Sequence, residues 1–91
     1  MDILITYNRD EKRSLAIVDN EIIGFCEYEL VNDKWAITHT VVSENFSGQG
    51  IAKKLVLKIV EEARKSGVKL IPICSYAKKM LENNLDFNDV L

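Results

Sequence analysis

The stretch that decides the fold is VVSENFSGQGIAKKLVLKIVEEARKSG, residues 41–67. It runs from the β-branched end of a strand, through a loop with Gly48 and Gly50, into an apolar repeat with the period of a helix. The unpaired N–H groups at a helix N-terminus favour acidic residues in the first turn, yet Lys53 and Lys54 stand there. We therefore expect an anionic ligand to bind at this helix start.

The helix is predicted from the residues after the loop. Apolar residues recur every four positions, at Ile51, Leu55, Ile59 and Ala63. Charged side chains occupy the other side, so the pattern predicts an amphipathic helix of about four turns. Ser66-Gly67 marks its end, because glycine readily adopts the left-handed backbone of a helix C-terminus.

Upstream of the loop, the sequence predicts four strands joined by short turns such as Asp19-Asn20. The predicted strands cover residues 3–8, 13–18, 21–30 and 35–42. Alternation in the third strand places on one face Ile22, Cys26, Tyr28 and Leu30. The same rule places His39 on the face of Ile37 and Val41 in the fourth strand.

Downstream of the helix, VKLIPIC at residues 68–74 predicts a fifth strand, and Pro72 indicates an edge position for it. Ser75 is the predicted cap of a short helix over residues 76–84. The tail that follows keeps Leu85, Phe87 and Val90, which we expect to pack back onto the body of the protein.

This order of elements predicts an α/β (α+β) fold with a mixed five-stranded sheet. An antiparallel meander comes first, because the turns between the first four strands are short. A β-α-β unit and a C-terminal helix follow, and the crossover makes the fourth and fifth strands parallel. Residues 1–91 are expected to form a single domain.

The composition argues against several classes of protein. A net charge of −2 gives no electrostatic drive toward nucleic acid, and we expect no nucleic-acid partner. The start MDILITYN lacks the features of a signal peptide, and no apolar run is long enough to span a bilayer, so we expect a soluble cytoplasmic protein with no membrane partner. Cys26 and Cys74 lack the spacing of metal ligands, so we expect neither a metal site nor a disulfide.

The glycine loop alone leaves two interpretations open. It is a tight turn before a helix, or a cradle in which backbone N–H groups and the absence of a Cβ let a pyrophosphate approach closely. A dinucleotide fingerprint is excluded because Lys53 stands where the third glycine belongs. A Walker loop is excluded because no Gly-Lys-Ser or Gly-Lys-Thr follows.

The sequence VVSENFSGQGIAKKLV resembles the acetyl-CoA loop of the GNAT superfamily of N-acetyltransferases, whose motif is Q/R-x-x-G-x-G/A. The matching positions are Gly48, Gly50, Ile51, Ala52 and Leu55. Two positions depart from the motif, because Asn45 stands at the Gln/Arg position and Ser47 replaces a frequent arginine. With ITHTVV before the loop and IPICSYAKKMLE after the helix, essentially the whole chain resembles a small GNAT-like subfamily, the minimal or YjdJ-type acetyltransferases.

The resemblance implies that acetyl-CoA inserts between the splayed ends of the fourth and fifth strands. The cofactor-binding residues that it implies are Val41, Val42, Ser47, Gly48, Gln49, Gly50, Ile51, Ala52, Lys53, Ser75 and Tyr76. It implies no metal or redox cofactor. Relative to full-length GNAT enzymes, we expect these residues to lack the helices between the first two strands and the final strands that complete the substrate side, so the amine acceptor is left unidentified.

Two residues are the catalytic candidates. The resemblance suggests Cys74 as a nucleophile that accepts the acetyl group, and a helix N-terminus beside it would favour the thiolate. The alternative is a small apolar residue at a strand end. His39 is the only histidine, and it is either a general base or a packed core histidine with a satisfied hydrogen bond.

We therefore predict an acetyl-CoA-dependent N-acetyltransferase, acting as a monomer or weak dimer. The amine acceptor, a small molecule or a protein, takes the acetyl group either directly or through acetyl-Cys74. The rival hypothesis is a CoA-binding or protein-interaction module with little or no transfer activity. Cofactor binding and turnover distinguish these hypotheses.

Overall fold

The computed structural model describes residues 2–91, which form one five-stranded sheet with helices on one side. The elements are β1 (Leu4–Asn8), β2 (Arg13–Val18), β3 (Glu21–Val31), β4 (Lys34–Val42), α1 (Ile51–Ser66), β5 (Leu70–Pro72) and α2 (Ser75–Leu81), with 3₁₀ turns at Glu44–Phe46 and Leu85–Val90. Strands β1 to β4 are antiparallel in chain order, and β5 is parallel to β4 at the sheet edge. The predicted fold class and the edge position of Pro72 are confirmed. Among residues 2–91, no helix combines the length and apolar character needed to cross a membrane.

Two hairpin turns fix the meander. Both residues of Asp19-Asn20 and of Asn32-Asp33 have positive φ, as a two-residue type I′ turn requires. This turn matches the right-handed twist of the strands that it joins, and Asn and Asp tolerate it better than most residues.

Helix α1 packs against one face of the sheet and forms the core with it. Its buried residues are Ile51, Leu55, Val56, Ile59, Val60 and Ala63, as the apolar repeat predicts. The buried Ser14 hydroxyl of β2 donates a hydrogen bond to the Leu55 carbonyl at 2.9 Å, which ties the helix to the sheet. Gly67 has φ +67° and caps the C-terminus, so both predicted helix ends are confirmed.

A β-bulge in β3 changes which of its side chains are buried. Ala16 pairs with Gly24 and Ile17 pairs with Ile22, so Ile23 is an extra residue in β3. The bulge turns Ile23 into the core and leaves Ile22 54% exposed. The prediction that Ile22 lies on the buried face is therefore wrong.

Two further predicted core residues are exposed. Leu30, at the end of the β3–β4 hairpin beside the Asn32-Asp33 turn, is 61% exposed. The C-terminal tail packs through Phe87 and Val90 as predicted, but Leu85 is 83% exposed at the start of the last 3₁₀ turn. The predictions that Leu30 and Leu85 are buried are wrong.

A second bulge lies in β4 and shapes the functional region. Glu27 pairs with His39 and Tyr28 pairs with Ile37, so Thr38 is the extra residue. Ile37 is fully buried, whereas the His39 side chain is 65% exposed. His39 therefore does not share the face of Ile37, and the interpretation as a packed core histidine is wrong.

Strand β5 is shorter than the predicted strand over residues 68–74, because its pairing with β4 ends at the second bulge. The last pair is Ile37 with Pro72. Beyond it, the Ile37 carbonyl accepts hydrogen bonds from the N–H groups of Ile73 (3.0 Å) and Cys74 (2.9 Å). Strand β4 continues to Val42 without a strand partner on this side, so a gap opens between β4 and the chain after β5.

Helix α2 begins one residue earlier than predicted and ends at Leu81. Its N-cap is Cys74, whose Sγ accepts a hydrogen bond from the Ala77 N–H at 3.4 Å. The prediction of a Ser75 cap is wrong, because Ser75 already belongs to the first turn. Ala77 and Leu81 anchor the helix in the core.

Candidate functional site

The gap beside β4 is lined by backbone groups that the sheet does not use. The Ser43 N–H donates to the Ile23 carbonyl at 2.8 Å, which makes Val42 and Gly24 a non-hydrogen-bonded pair of the antiparallel ladder. The peptide groups of Val42 therefore point away from β3 and into the gap, and Thr40, two residues earlier, has the same orientation. The peptide groups of Val41 are directed to β3, where Val41 pairs with Phe25.

The glycine loop closes one end of this gap. Gly48 has φ +77° and Gly50 has φ +75°, a left-handed backbone that costs other residues about 1–2 kcal/mol. No atom lies within 4 Å of a Cβ built at either position, so neither glycine is required for packing. Both are required because the loop backbone is left-handed at these two positions. The loop ends at Gly50, which is the N-cap of α1.

The loop presents a series of unpaired amides. The Ser47 N–H donates to the Glu44 carbonyl at 3.1 Å, and the Lys54 N–H donates to the Gly50 carbonyl at 3.2 Å. Between them, residues 48–53 donate no backbone hydrogen bond within the part of the chain that the structure describes. With no acidic residue in the first turn of α1, this arrangement favours an anion.

A cavity of about 270 Å³ lies beside the loop. Its lining residues are Val42, Phe46, Ser47, Gly48, Gly50, Ile51, Ala52 and Tyr76. The fold therefore brings the loop, the end of β4 and the first turn of α2 together. The other predicted cofactor residues, Val41, Gln49, Lys53 and Ser75, are exposed and do not line this cavity. Phe46 was not predicted, although its aromatic side chain directly before the loop was a usable signal.

Cys74 lies between the end of β5 and the first turn of α2, and its side chain is half-buried. Its Sγ accepts from the Ala77 N–H and lies 3.5 Å from Thr40 Oγ1. Thr40 Oγ1 also donates to Cys26 Sγ at 3.4 Å. Thr40 is not predictable as a site residue from the sequence, because its contact with Cys74 depends on the packing of β5 and α2 beside β4.

Cys26 is the second sulfur of this cluster and is fully buried, as predicted. Desolvation by burial raises the pKa of the Cys26 thiol to about 12, and the nearby Cys74 adds to the effect, while the hydrogen bond from Thr40 opposes it. Cys26 therefore stays protonated at neutral pH and serves as a packed core residue.

His39 forms a pair with Glu27 on the opposite face of the sheet. The His39 Nδ1 and Glu27 Oε1 atoms are 2.8 Å apart, and the two side chains are 65% and 39% exposed. Since neighbouring strand residues alternate, Thr40 points toward the helices and His39 points away from them. No hydrogen bond joins His39 to Cys74 in residues 2–91, so the fold separates the two predicted catalytic residues.

The face that carries the Glu27–His39 pair is not covered by a helix in the described chain, since both helices pack into the core on the other side. Phe25 and Val41 form the next pair of the ladder on this face, because the intervening pair of Cys26 and Thr40 points toward the helices. A second cavity, of about 310 Å³, borders that pair and is lined by Arg13, Ile22, Ile23, Gly24, Phe25, Val41 and Ser43. Within residues 2–91, no group of three or more His, Cys, Asp or Glu side chains is placed to hold a metal ion.

A family model described as GCN5-related N-acetyl-transferase matches residues 6–90. A comparison with curated proteins gave no match.

Solved structures give a consistent result. A GCN5-like protein from Staphylococcus aureus, solved by NMR, is 36% identical, with a TM-score of 0.74 over 96% of this chain and 85% of that one. A GNAT family acetyltransferase from Elizabethkingia anophelis, with acetyl-CoA bound, is 30% identical, with a TM-score of 0.58 over 64% of this chain and 39% of that one. The PaiA N-acetyltransferase of Thermoplasma acidophilum, in complex with coenzyme A, shares the fold at 23% identity, with a TM-score of 0.57 over 62% of this chain and 35% of that one.

Proposed function

Because the chain belongs to the GCN5-related N-acetyltransferase family and is thus an acyltransferase, we propose that it transfers the acetyl group of acetyl-CoA to an amine. The observation that carries the proposal is the run of unpaired amides at residues 48–53 beside the gap next to β4. The acetyl-CoA bound to the Elizabethkingia enzyme supports the choice of cofactor. We further propose that residues 1–91 act as one minimal domain.

The residues present fit a CoA thioester. The loop amides and the absence of Cβ atoms at Gly48 and Gly50 suit a pyrophosphate, and the exposed Lys53 and Lys54 add positive charge nearby. The peptide groups of Val42 suit the amides of a pantetheine arm, and this assignment replaces Val41, whose peptide groups pair with β3. When bound, the cofactor supplies an acetyl thioester, whose carbonyl carbon is the electrophile.

In the direct route, the Glu27–His39 pair is the base. The Glu27 carboxylate accepts a hydrogen bond from the His39 Nδ1–H. This leaves His39 Nε2 free to accept the proton that the attacking amine loses. The carboxylate also stabilises the imidazolium that results. The amine approaches from the uncovered face of the sheet, and an N–H group of β4 that points into the gap stabilises the carbonyl oxygen in the transition state.

In the second route, Cys74 accepts the acetyl group first. Its thiolate attacks the thioester carbon and the CoA thiolate leaves. The amine then attacks the acetyl-Cys74 carbonyl, gives its proton to a base and releases the Cys74 thiolate. The Ala77 N–H donates to Sγ and orients the sulfur in both halves of this route.

The test of the proposed function is the release of free CoA from acetyl-CoA in the presence of a panel of primary amines. Glu27→Gln keeps the size of the side chain but removes its charge, so we expect kcat to fall at least tenfold with little change in the affinity for acetyl-CoA. Glu29→Gln is the matched control, because Glu29 lies on the same strand two residues away and is exposed. Equal activity in the two variants would overturn the assignment of the base.

Further experiments distinguish the direct route from the second route, and both routes from the rival function. Cys74→Ala is expected to abolish transfer in the second route and to preserve it in the direct one, and mass spectrometry detects acetyl-Cys74 only in the second. The rival function, a CoA-binding module, predicts bound acetyl-CoA with no turnover for any amine.

A further inference from the structure

One hydroxyl lies between the sulfur atoms of the two cysteines. Thr40 Oγ1 donates a hydrogen bond to Cys26 Sγ at 3.4 Å. It also lies 3.5 Å from Cys74 Sγ, and in this second hydrogen bond either atom can be the donor. A threonine hydroxyl has one proton and two lone pairs, so it donates to one sulfur at a time. In the neutral state, the Cys74 S–H donates to Oγ1 while Oγ1 donates to Cys26.

The two cysteines differ in their burial and in their hydrogen-bond partners. Cys26 is fully buried and its thiol stays protonated, so it is only a weak acceptor. Cys74 is half-buried at a helix N-cap, where it already accepts from the Ala77 N–H. A hydrogen bond to a charged acceptor is stronger than one to a neutral acceptor. Loss of the Cys74 proton therefore favours rotation of the Thr40 hydroxyl from Cys26 to Cys74.

We propose that Thr40 is a positioning residue for Cys74, whose hydroxyl stabilises the Cys74 thiolate and uses Cys26 as its alternative acceptor when Cys74 is protonated. The proposal concerns the second route described above and rests on that role of Cys74. Its test measures the thiol itself, so its outcome is separate from the outcome of the transfer assay.

The other groups around Cys74 leave this role to Thr40. Cys26 is the titratable side chain on β3 that faces the cluster. Glu27 and His39 lie on the opposite face of β3 and β4 and bind each other. On α2, Tyr76, Lys78 and Lys79 are exposed, and Cys74 accepts from a backbone N–H of that helix rather than from any of these side chains.

The test is the pH dependence of iodoacetamide alkylation of Cys74 in the full chain, since buried Cys26 is shielded in the folded state. Thr40→Val keeps the β-branched shape and removes the hydroxyl. We expect the midpoint of the alkylation profile to rise by about one pH unit, which is about tenfold less thiolate at neutral pH. Thr40→Ser keeps a hydroxyl and is expected to retain the midpoint of the unmodified protein.

Cys26→Ala removes the alternative acceptor, so the midpoint is expected to stay or fall. The movement of the midpoint distinguishes an effect of Thr40 on the thiolate from loosened packing. Loosened packing would raise the rate of alkylation in every variant without moving the midpoint. An unchanged midpoint in Thr40→Val, or a raised one in Cys26→Ala, overturns the proposal. If the midpoints move as expected and Cys74→Ala still transfers acetyl groups, Thr40 stabilises the thiolate but the second route fails, and Thr40 then has no positioning role in the transfer.

Discussion

Substitution of Gly48 by alanine tests the cofactor loop most sharply. Gly48 has φ +77°, and an L-residue held there costs about 1–2 kcal/mol. Part of this cost is offset, because alanine lowers the entropy of the unfolded chain by about 0.4–1 kcal/mol. We therefore expect Gly48→Ala to lower the free energy of unfolding by about 1 kcal/mol, which leaves a typical domain folded.

The matched control is Gly67→Ala at the other end of α1. Gly67 has φ +67°, and no atom lies within 4 Å of its built Cβ, so the strain is the same while the loop is untouched. Urea unfolding should give similar losses of stability for the two variants. Calorimetric titration with acetyl-CoA should show at least tenfold weaker binding for Gly48→Ala but not for Gly67→Ala. A tenfold change corresponds to about 1.4 kcal/mol of binding free energy. Equal affinities of the two variants for acetyl-CoA would mean that the pyrophosphate does not bind at this loop.

Three further predictions concern stability. Burial raises the pKa of the Cys26 thiol from its ordinary value of 9.0 to about 12, so the contribution of Cys26 to stability is intact below pH 9 and is lost as the pH rises toward 12. Urea unfolding at several alkaline pH values should show a slope of up to about 1.4 kcal/mol per pH unit from this group, and Cys26→Ala should lack that slope. Leu55→Ala leaves a cavity at a fully buried position and should cost about 2–5 kcal/mol in the same assay, whereas a loss below 1 kcal/mol would contradict the packing of α1. Ser14→Ala removes the hydrogen bond to the Leu55 carbonyl and should cost about 1 kcal/mol, with no effect on acetyl-CoA binding.

The elements set by local chemistry were predictable from the sequence. The bounds of α1 follow from the apolar repeat and from two glycines whose backbone is left-handed, Gly50 and Gly67. The meander follows from turns such as Asp19-Asn20, whose residues tolerate positive φ. These signals act within a few residues, so tertiary structure did not override them.

The faces of β3 and β4 were not fully predictable, because a bulge adds one residue and reverses the alternation beyond it. Ile23 and Thr38 are the extra residues, and no feature of the sequence marks them as such. The consequence for the site is large, because the second bulge turns His39 onto the uncovered face, where it meets Glu27.

The surroundings of Cys74 also required the structure. Alternation placed Cys26 in the core, but the approach of Thr40 to both cysteines depends on where β5 ends and α2 begins. Serine is a common N-cap, so the sequence predicts Ser75 as the cap of α2, whereas the chain uses the Cys74 thiol one residue earlier.

In the proposed function, acetyl-CoA binds along β4 and the glycine loop, and an NMR titration of isotope-labelled protein with acetyl-CoA tests this binding site. We expect amide shifts concentrated at Val42, residues 48–53 and Cys74, with much smaller shifts at Gly67 and along β1. No shifts at millimolar acetyl-CoA, or shifts that avoid the loop, would contradict it.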